Sequence, residues 1–446
     1  MNKKLSRRDF LKLGGGMLAV AAGAHFVQTP LRRVLSPSEV VQAQAGAPYD
    51  LYWAGTDGWI YLPPNPPIGF FHPDEYAPPP LTTYIFGFRD ISGLSADQSI
   101  KQKNKAQHNA PFFWVNQYDG TNEFRMQLTN LGMAQRPDLF DAHTIHWHGF
   151  RNVIPFFDGE PTTSLAVPAG NNFMYIYRPR DPGTYMYHCH VEDVEHVHMG
   201  MTSLVFVRPL QDGDTGLYPS GKFAYNDGDG STGFDREFIM FLSEVWAESH
   251  WADAHIQLPE WSDYRADFAL LNGRTYPDTL LPNAPVDLAR STNTVATQID
   301  VNGDLVPIPG YEYLQYQPYS ALVRCNEGER VLLRFANLGF KEAAMTLAGI
   351  KMHVIGKDAT PMRSRDGTDT SYMTNSLSFG AGESIDAIFT APPYQGPDRY
   401  DTYILYNRSY MRSNNLDGSG YGGQMTEVRV YPAGTVGSQA YPNDWA

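Results

Sequence analysis

Residues 143–148 read His-Thr-Ile-His-Trp-His, and residues 188–190 read His-Cys-His. With His196 and Met201 nearby, these stretches gather six of the chain's thirteen histidines and one of its two cysteines. Side chains alternate faces along an extended strand, so residues i and i+2 share a face. If Tyr185–Val191 is a strand, His188 and His190 point one way and Cys189 the other. If Thr144–Phe150 is extended, His146 and His148 share a face, while His143 has the other parity. Two ligand sets follow. His143 and Cys189 lie on one side, and the stretch His196-Val-His-Met-Gly-Met201 can curl back to complete them. His146, His148, His188 and His190 form the other set. Two imidazoles, a thiolate and a weak axial thioether are the donors of a blue-copper electron-transfer site. Within the curling stretch, His198 competes with His196 as ligand and Met199 competes with Met201. Trp147 falls on the face opposite its two histidine neighbours and is expected to pack inward.

These residues resemble the multicopper oxidases. His143-x-x-His146-x-His148-Gly149 is similar to that family's H-P-x-H-x-H-G motif, with Thr144 where the family has Pro. His188-Cys189-His190 with His196 and Met201 resembles its H-C-H…H…M motif, although residues 191–195 make the step to His196 longer than in laccases. Asp158-Gly-Glu-Pro161 resembles its D-G-x-P segment. The resemblance implies a type 1 copper held by His143, Cys189, His196 and Met201, and a second, type 2 or type 3-like copper site at His146, His148, His188 and His190. It implies Asp158 as the acid for proton delivery. It also implies a laccase-like oxidoreductase that takes electrons from a small-molecule or metal-ion reductant, or from a redox protein, and passes them to dioxygen. The reductant would dock where His196 or His143 comes closest to solvent. A copper nitrite reductase-like enzyme is the alternative, although that family has Asp where His146 stands and lacks a histidine at the position of His190. A type 1 electron carrier with the far histidines vacant is a further alternative. Met174, Met186, Met199 and Met201 are too scattered to form a copper-storage segment.

The remaining chain suggests a repeat. Gly120…Phe124…Leu128-Thr-Asn130-Leu-Gly132 parallels Gly328…Val331…Phe335-Ala-Asn337-Leu-Gly339, and Pro168-Ala-Gly170 parallels Gly380-Ala-Gly382. Tyr185–His190 parallels Tyr403–Arg408, and Met201-Thr202 parallels Met425-Thr426. In the second copy, Ala343, Thr346 and Ala348 stand at the first three histidine positions, and Tyr406-Asn407-Arg408 stands at His-Cys-His. The expected fold is all-β, with two cupredoxin-like Greek-key β-sandwich domains of short period-2 strands and Gly/Pro/Asn turns. The copper domain is expected at 46–210, a polar linker or long loop at 211–234, a second domain without copper ligands at 235–436, and a tail at 437–446. Four histidines are half of what the family's oxygen-reducing cluster uses, which leaves three routes: a homo-oligomer, the expected one, that pools histidines, another protein that supplies the missing half, or a smaller mononuclear or dinuclear site at these four histidines. The segment 244–267 reads as a partly helical insertion, and Pro63–Pro80 as either a wrapping arm or an exposed loop. Cys325 reads as a buried structural thiol, and His353 as a structural or surface residue.

Residues 1–45 read as a twin-arginine export signal: Ser6-Arg7-Arg8-Asp9-Phe10-Leu11-Lys12, an apolar run, and Ala43-Gln44-Ala45 before the expected cut. A periplasmic or secreted protein is implied, with no membrane span in the mature chain. The full chain carries a formal charge of −14, and residues 46–446 carry −19. Such an acidic surface argues against nucleic acid as a partner. Replacing Arg7 and Arg8 with lysines is expected to hold the full-length chain in the cytoplasm, as read by cell fractionation.

Overall fold

The computed structural model describes residues 50–287, 294–415 and 420–444. The export-signal stretch at 1–45 lies outside the described residues. Among them, no helix is long and apolar enough to cross a membrane.

Eight strands build the first sandwich: β1 (Leu51–Ile60), β2 (Thr83–Asp90), β3 (Phe113–Asn116), β4 (Phe124–Gly132), β5 (His146–His148), β6 (Asn172–Tyr177), β7 (Gly183–His188) and β8 (Thr202–Arg208). One sheet runs β2-β1-β4-β6 and the other β3-β8-β7-β5. Aromatic residues fill the space between them. Trp53 sits with its ring centroid 5.0 Å from Phe113 and 4.9 Å from Tyr187, and Trp147 stacks on Tyr177 at 4.1 Å. Trp147 is buried in this core, as the parity of its strand requires.

The second sandwich begins with β9 (Arg236–Val245), β10 (Phe268–Leu271), β11 (Val323–Asn326), β12 (Arg330–Asn337), β13 (Ala343–Leu347) and β14 (Met352–Lys357). It continues with β15 (Thr360–Pro361), β16 (Tyr372–Thr374), β17 (Ser376–Phe379), β18 (Ser384–Thr390), β19 (Asp401–Asn407) and β20 (Met425–Tyr431). Its sheets run β10-β9-β12-β18-β14-β15, with β16 on β14, and β11-β20-β19-β13-β17. The all-β, two-sandwich expectation is borne out.

The repeat is visible strand by strand. β1 pairs parallel with β4 and β4 antiparallel with β6, just as β9 pairs with β12 and β12 with β18. His146 lies opposite His188 in the β5/β7 pair, and Thr346 lies opposite Tyr406 in the β13/β19 pair. Asn130 Oδ1 accepts from Gly132 N–H at 2.8 Å, and Asn337 Oδ1 accepts from Gly339 N–H at 3.0 Å. One correspondence from the sequence is corrected. His188 faces Thr202 and Tyr406 faces Met425, so Met425 is the counterpart of Thr202 and Gln424 stands where Met201 does. The backbone agrees, since Cys189 N–H donates to Met201 O and Asn407 N–H donates to Gln424 O, both at 3.0 Å. Matching the shared Met-Thr pair by identity slips the register by one residue, which would exchange the two faces of the strand.

The two sandwiches meet at a buried charge cluster. Arg334 on β12, fully buried, donates from Nε to Glu237 Oε2 at 3.0 Å and from Nη1 to Thr184 Oγ1 on β7 at 3.2 Å. Asp386 on β18 accepts from Tyr225 Oη at 2.6 Å and lies 3.5 Å from Arg334 Nη1. Within 211–234, Ala224, Tyr225 and Phe234 pack on Leu332, Ile355 and Ile388 of the second sandwich. In the tail, Asn443 Oδ1 accepts from Ile239 N–H at 2.7 Å. The insertion forms a helix at Ala247–Ala254 and a 3-10 turn at Trp261–Asp263. The Pro63–Pro80 stretch is a wrapping arm, with Tyr76 stacked on His255 at 4.0 Å and Phe70 against Trp251 at 4.9 Å. Cys325 is buried, and burial pushes its thiol up to about 12.

Asn337→Ala removes two hydrogen bonds from a buried turn, one to Gly339 and one to Lys341 O. It is expected to lower unfolding stability by about 2 kcal/mol in a denaturant titration.

Candidate metal centre

The chain folds the two ligand sets onto opposite sides of one strand end. β7 stops at His188: Cys189 N–H still donates to the Met201 carbonyl opposite it, but Met201 N–H turns to His196 O and the ladder ends there. His143 lies off β5 altogether. Its backbone forms a bridge with Val167, so the chain crosses between the sheets over 143–146. The expected sides hold although both strands are shorter than the sequence suggests.

On the packed side, His143, Cys189 and His196 bring one donor atom each within 4.8 Å of one another, and all three are buried. Cys189 Sγ lies 3.2 Å from His196 Nδ1 and 4.0 Å from His143 Nδ1. Burial alone would raise the Cys189 thiol, but His196 and His143 overcome it and hold it well below the ordinary thiol range. Burial would lower His196, but facing Cys189 it is lifted to about 10. Two buried nitrogens aimed at a thiolate fit a thiophilic transition metal, and the thioether selects copper among the common ones.

His196 and His198 sit on a short helix, α1 (Asp193–Met199), where residues two apart point about 200° apart. His198 turns away: its Nε2 accepts from Trp246 N–H at 3.1 Å, and its ring packs 4.9 Å from His250 and 5.5 Å from Trp261. His196, not His198, therefore joins the cluster. Met201 N–H donates to His196 O at 2.9 Å, which fixes its backbone beside the histidine. A Cβ at Gly55 on β1 would lie 2.7 Å from His143 Cδ2 and 3.4 Å from the Met201 methyl, so both side chains rest against that glycine.

On the other side the four histidines meet. The His146 ring is 5.2 Å from His188 and 4.9 Å from His190, and His148 is 5.7 Å from His188. His146, His148 and His188 can each offer one nitrogen within the same 4.8 Å. Hydrogen bonds set their tautomers. His146 Nδ1 lies 2.7 Å from Asp158 O, and His188 Nδ1 lies 2.8 Å from Cys189 O. Each Nδ1 donates to its carbonyl, which leaves Nε2 free as an electron-pair donor. Burial lowers the His146, His148 and His188 pKa values, the last to about 3, so their rings are neutral and ready to bind metal.

Asp158 lies beside this set, with Oδ1 3.5 Å from His146 Nδ1. Four residues escaped the sequence reading. Asp141 Oδ2 stands 3.7 Å behind His196 Nε2. Thr144 N–H donates to Cys189 Sγ at 3.4 Å, and Thr144 Oγ1 accepts from His190 N–H at 2.9 Å. Tyr175 Oη accepts from Ile145 N–H at 3.1 Å, bracing the chain between the two sets. Gly55 is the fourth. Only Thr144 left a signal, its replacement of Pro in the motif. The expected solvent edge at His196 or His143 is corrected, since both are fully buried. Asp141, partly exposed, lies between His196 and the surface. In the second sandwich the matching place is filled by polar side chains: Asn407 Oδ1 accepts from Ala344 N–H at 3.4 Å, and Asn407 Nδ2 donates to Gln424 at 2.8 Å. His250 Nδ1 lies 2.6 Å from Tyr84 O, His255 binds Asp74 and His353 binds Ser371, so these three serve the packing.

Cys189→Ser and His196→Ala are expected to abolish the blue absorbance of the copper-loaded chain. His198→Ala is expected to keep it and lower the melting temperature by roughly 2–4 °C. Thr144→Pro removes the N–H from the sulfur. A thiolate freed of that hydrogen bond donates more charge to its metal, so the blue band should persist with a lower reduction potential.

The family model described as multicopper oxidase matches residues 130–212, which include all eight candidate ligands. The laccase-like multicopper oxidase 1 of Thermothelomyces thermophilus is 38% identical over 95 residues, covering 20% of this chain and 13% of that protein. This chain spans half or less of the length of the curated relatives it matches. A solved blue copper oxidase from Nitrosomonas europaea superposes with a TM-score of 0.54 at 20% identity, over 85% of each chain. The copper nitrite reductase of Nitrosomonas europaea superposes with a TM-score of 0.50 at 12% identity, over 88% of this chain and 96% of that one. Both are likenesses of fold. Residues 130–212 match the multicopper oxidase family model and lie on the first of two cupredoxin-like β-sandwiches, where they bring together side chains that could hold a metal ion.

Proposed function

We propose that this chain is an exported, laccase-like copper oxidoreductase. In this reading a reductant gives electrons to the site of His143, Cys189, His196 and Met201, and a small oxidant receives them at His146, His148, His188 and His190. One observation carries it. Cys189 Sγ lies 3.2 Å from His196 Nδ1 on one side, while its covalent neighbours His188 and His190 carry rings 5.2 and 4.9 Å from His146 on the other. A few covalent bonds therefore join a buried electron acceptor to a largely buried histidine face. Copper at the two sets would supply one-electron chemistry, and dioxygen is the oxidant this reading favours.

The chain's own residues set the conditions. Electrons from outside cross Asp141, because His143 and His196 are closed to solvent. Thr144 holds the Cys189 sulfur through its N–H and the His190 backbone through its hydroxyl, so one residue fixes both ends of the route. Asp158 anchors His146 through its carbonyl and keeps a partly exposed carboxyl group beside the same ring, where it would pass protons to the oxidant. Association of identical chains, pooling histidines from two copies, belongs to this reading.

Copper analysis of the loaded chain should give about two or more metal ions, with a second EPR signal and oxygen uptake in the presence of a reductant. One copper, one signal and no uptake would sink the enzyme reading. Asp158→Asn should slow oxygen uptake roughly a hundredfold while anaerobic bleaching of the blue band by the reductant stays unchanged. Sedimentation of the same sample reports whether chains associate.

A further inference from the structure

The inner face of β1 and β2 carries a row of rings that ends at His196. Gly55, Asp57 and Trp59 alternate onto one face of β1, and on β2 Phe86 stands opposite Asp57 and Tyr84 opposite Trp59. The Trp59 and Tyr84 ring centroids are 5.1 Å apart, those of Tyr84 and Phe86 5.6 Å, and those of Phe86 and His196 5.7 Å. Trp59 keeps 4% of its surface exposed, whereas Tyr84, Phe86 and His196 keep none. Tyr84 differs from the other tyrosines of this core in what its hydroxyl meets. It donates to Asp57 Oδ2 at 2.9 Å. Tyr177, Tyr185 and Tyr187 direct theirs to the carbonyls of Ile145, Asp181 and Pro111, and Tyr175 accepts the Ile145 N–H. A carboxylate can take a phenol's proton, and a peptide carbonyl cannot. Asp57 Oδ2 also accepts from Ala134 N–H and Gln135 N–H at 2.7 Å, which fixes the carboxylate beside the phenol. Burial first, and the Asp57 charge second, hold the Tyr84 phenol well above its ordinary range, so its proton does not leave alone. Loss of an electron reverses this, because a phenol radical cation is a strong acid and an unpaired buried positive charge is costly.

We propose that Tyr84 is a redox-active relay between Trp59 and the metal held at His143, Cys189 and His196, with Asp57 as its base. A Trp59 indole oxidised by one electron, an organic radical being the oxidant, takes an electron from Tyr84. The phenol proton moves to Asp57 Oδ2 in the same step and leaves a neutral phenoxyl radical. That radical takes one electron from reduced copper by way of Phe86 and His196, and the proton returns from Asp57. The net change is one electron carried from copper to Trp59, with Tyr84 and Asp57 restored. Organic radicals of the kind that one-electron oxidation of a reductant releases are then discharged at the metal and not on the fold. The inference rests only on copper at the first ligand set, and holds whatever occupies the second.

The test uses the copper-loaded full chain with its copper reduced and therefore colourless. Azidyl radicals from pulse radiolysis oxidise accessible tryptophan and tyrosine side chains, and His143, Cys189 and His196 are closed to them by burial. The blue band should grow in after the azidyl radical is consumed, at a rate independent of protein concentration and slower in heavy water. Tyr84→Phe, Asp57→Asn and Trp59→Phe should each slow this growth about tenfold or more, and Tyr84→Phe should also lose the isotope effect. Tyr187→Phe, whose hydroxyl meets only a carbonyl, should leave the rate unchanged. The blue band of each variant after chemical oxidation is the control for folding and loading. If Tyr84→Phe, Asp57→Asn or Trp59→Phe leaves the rate unchanged, or Tyr187→Phe slows it equally, the relay fails and copper at the first set stands. If a chemical oxidant brings up no blue band either, both fail.

Discussion

The Cys189 sulfur points into the packed interior of the first sandwich while both of its neighbours point out of it. Every other feature of the site answers to that constraint. The sulfur needs nitrogen donors from the interior, and His143 and His196 supply them from a chain crossover and a short helix. His188 and His190 are left on the outer face, where His146 and His148 of β5 pair beside them. A one-residue slip in β7 would exchange the two sets, so the backbone bonds of Cys189 to Met201 and of His190 to Thr144 are part of the site as much as the ligands are.

The second sandwich keeps the architecture without the histidines and the cysteine of the site. Asn407 and Gln424 fill the interior with a hydrogen-bonded amide pair where the first copy has Cys189 and Met201. A buried polar pair of this kind is tolerated because each partner satisfies the other. What the second copy contributes is position. Arg334, held by Glu237 and Asp386 and reaching Thr184 on β7, locks it against the ligand-bearing strand. A buried guanidinium is costly unless its partners are well placed, so the cluster favours one docking geometry. That geometry brings Gly382 against His148.

Much of this was legible in the residues. The period-2 spacing of His146, His148, His188 and His190 separated them from Cys189, because strand parity is local. The internal repeat was legible wherever turn chemistry repeats, as at Asn130-Leu-Gly132 and Asn337-Leu-Gly339. It failed at Met201 and Met425, where a shared dipeptide outweighed register, and register is a property of two strands. The choice of His196 over His198 was equally out of reach, since it depends on α1 being helical and on which face of it meets the sandwich.

The sequence by itself determined the donor types, their division into two sets and the absence of a second copy of either, because all three follow from residue identity and spacing. Tertiary structure decided what lies around them. It buried His143 and His196 away from solvent, set Asp141 behind one and Asp158 beside His146, and brought Leu338–Phe340 and Gly382 over the histidine face. Those placements depend on contacts between residues far apart in the chain, and no local pattern encodes how one sandwich docks on another.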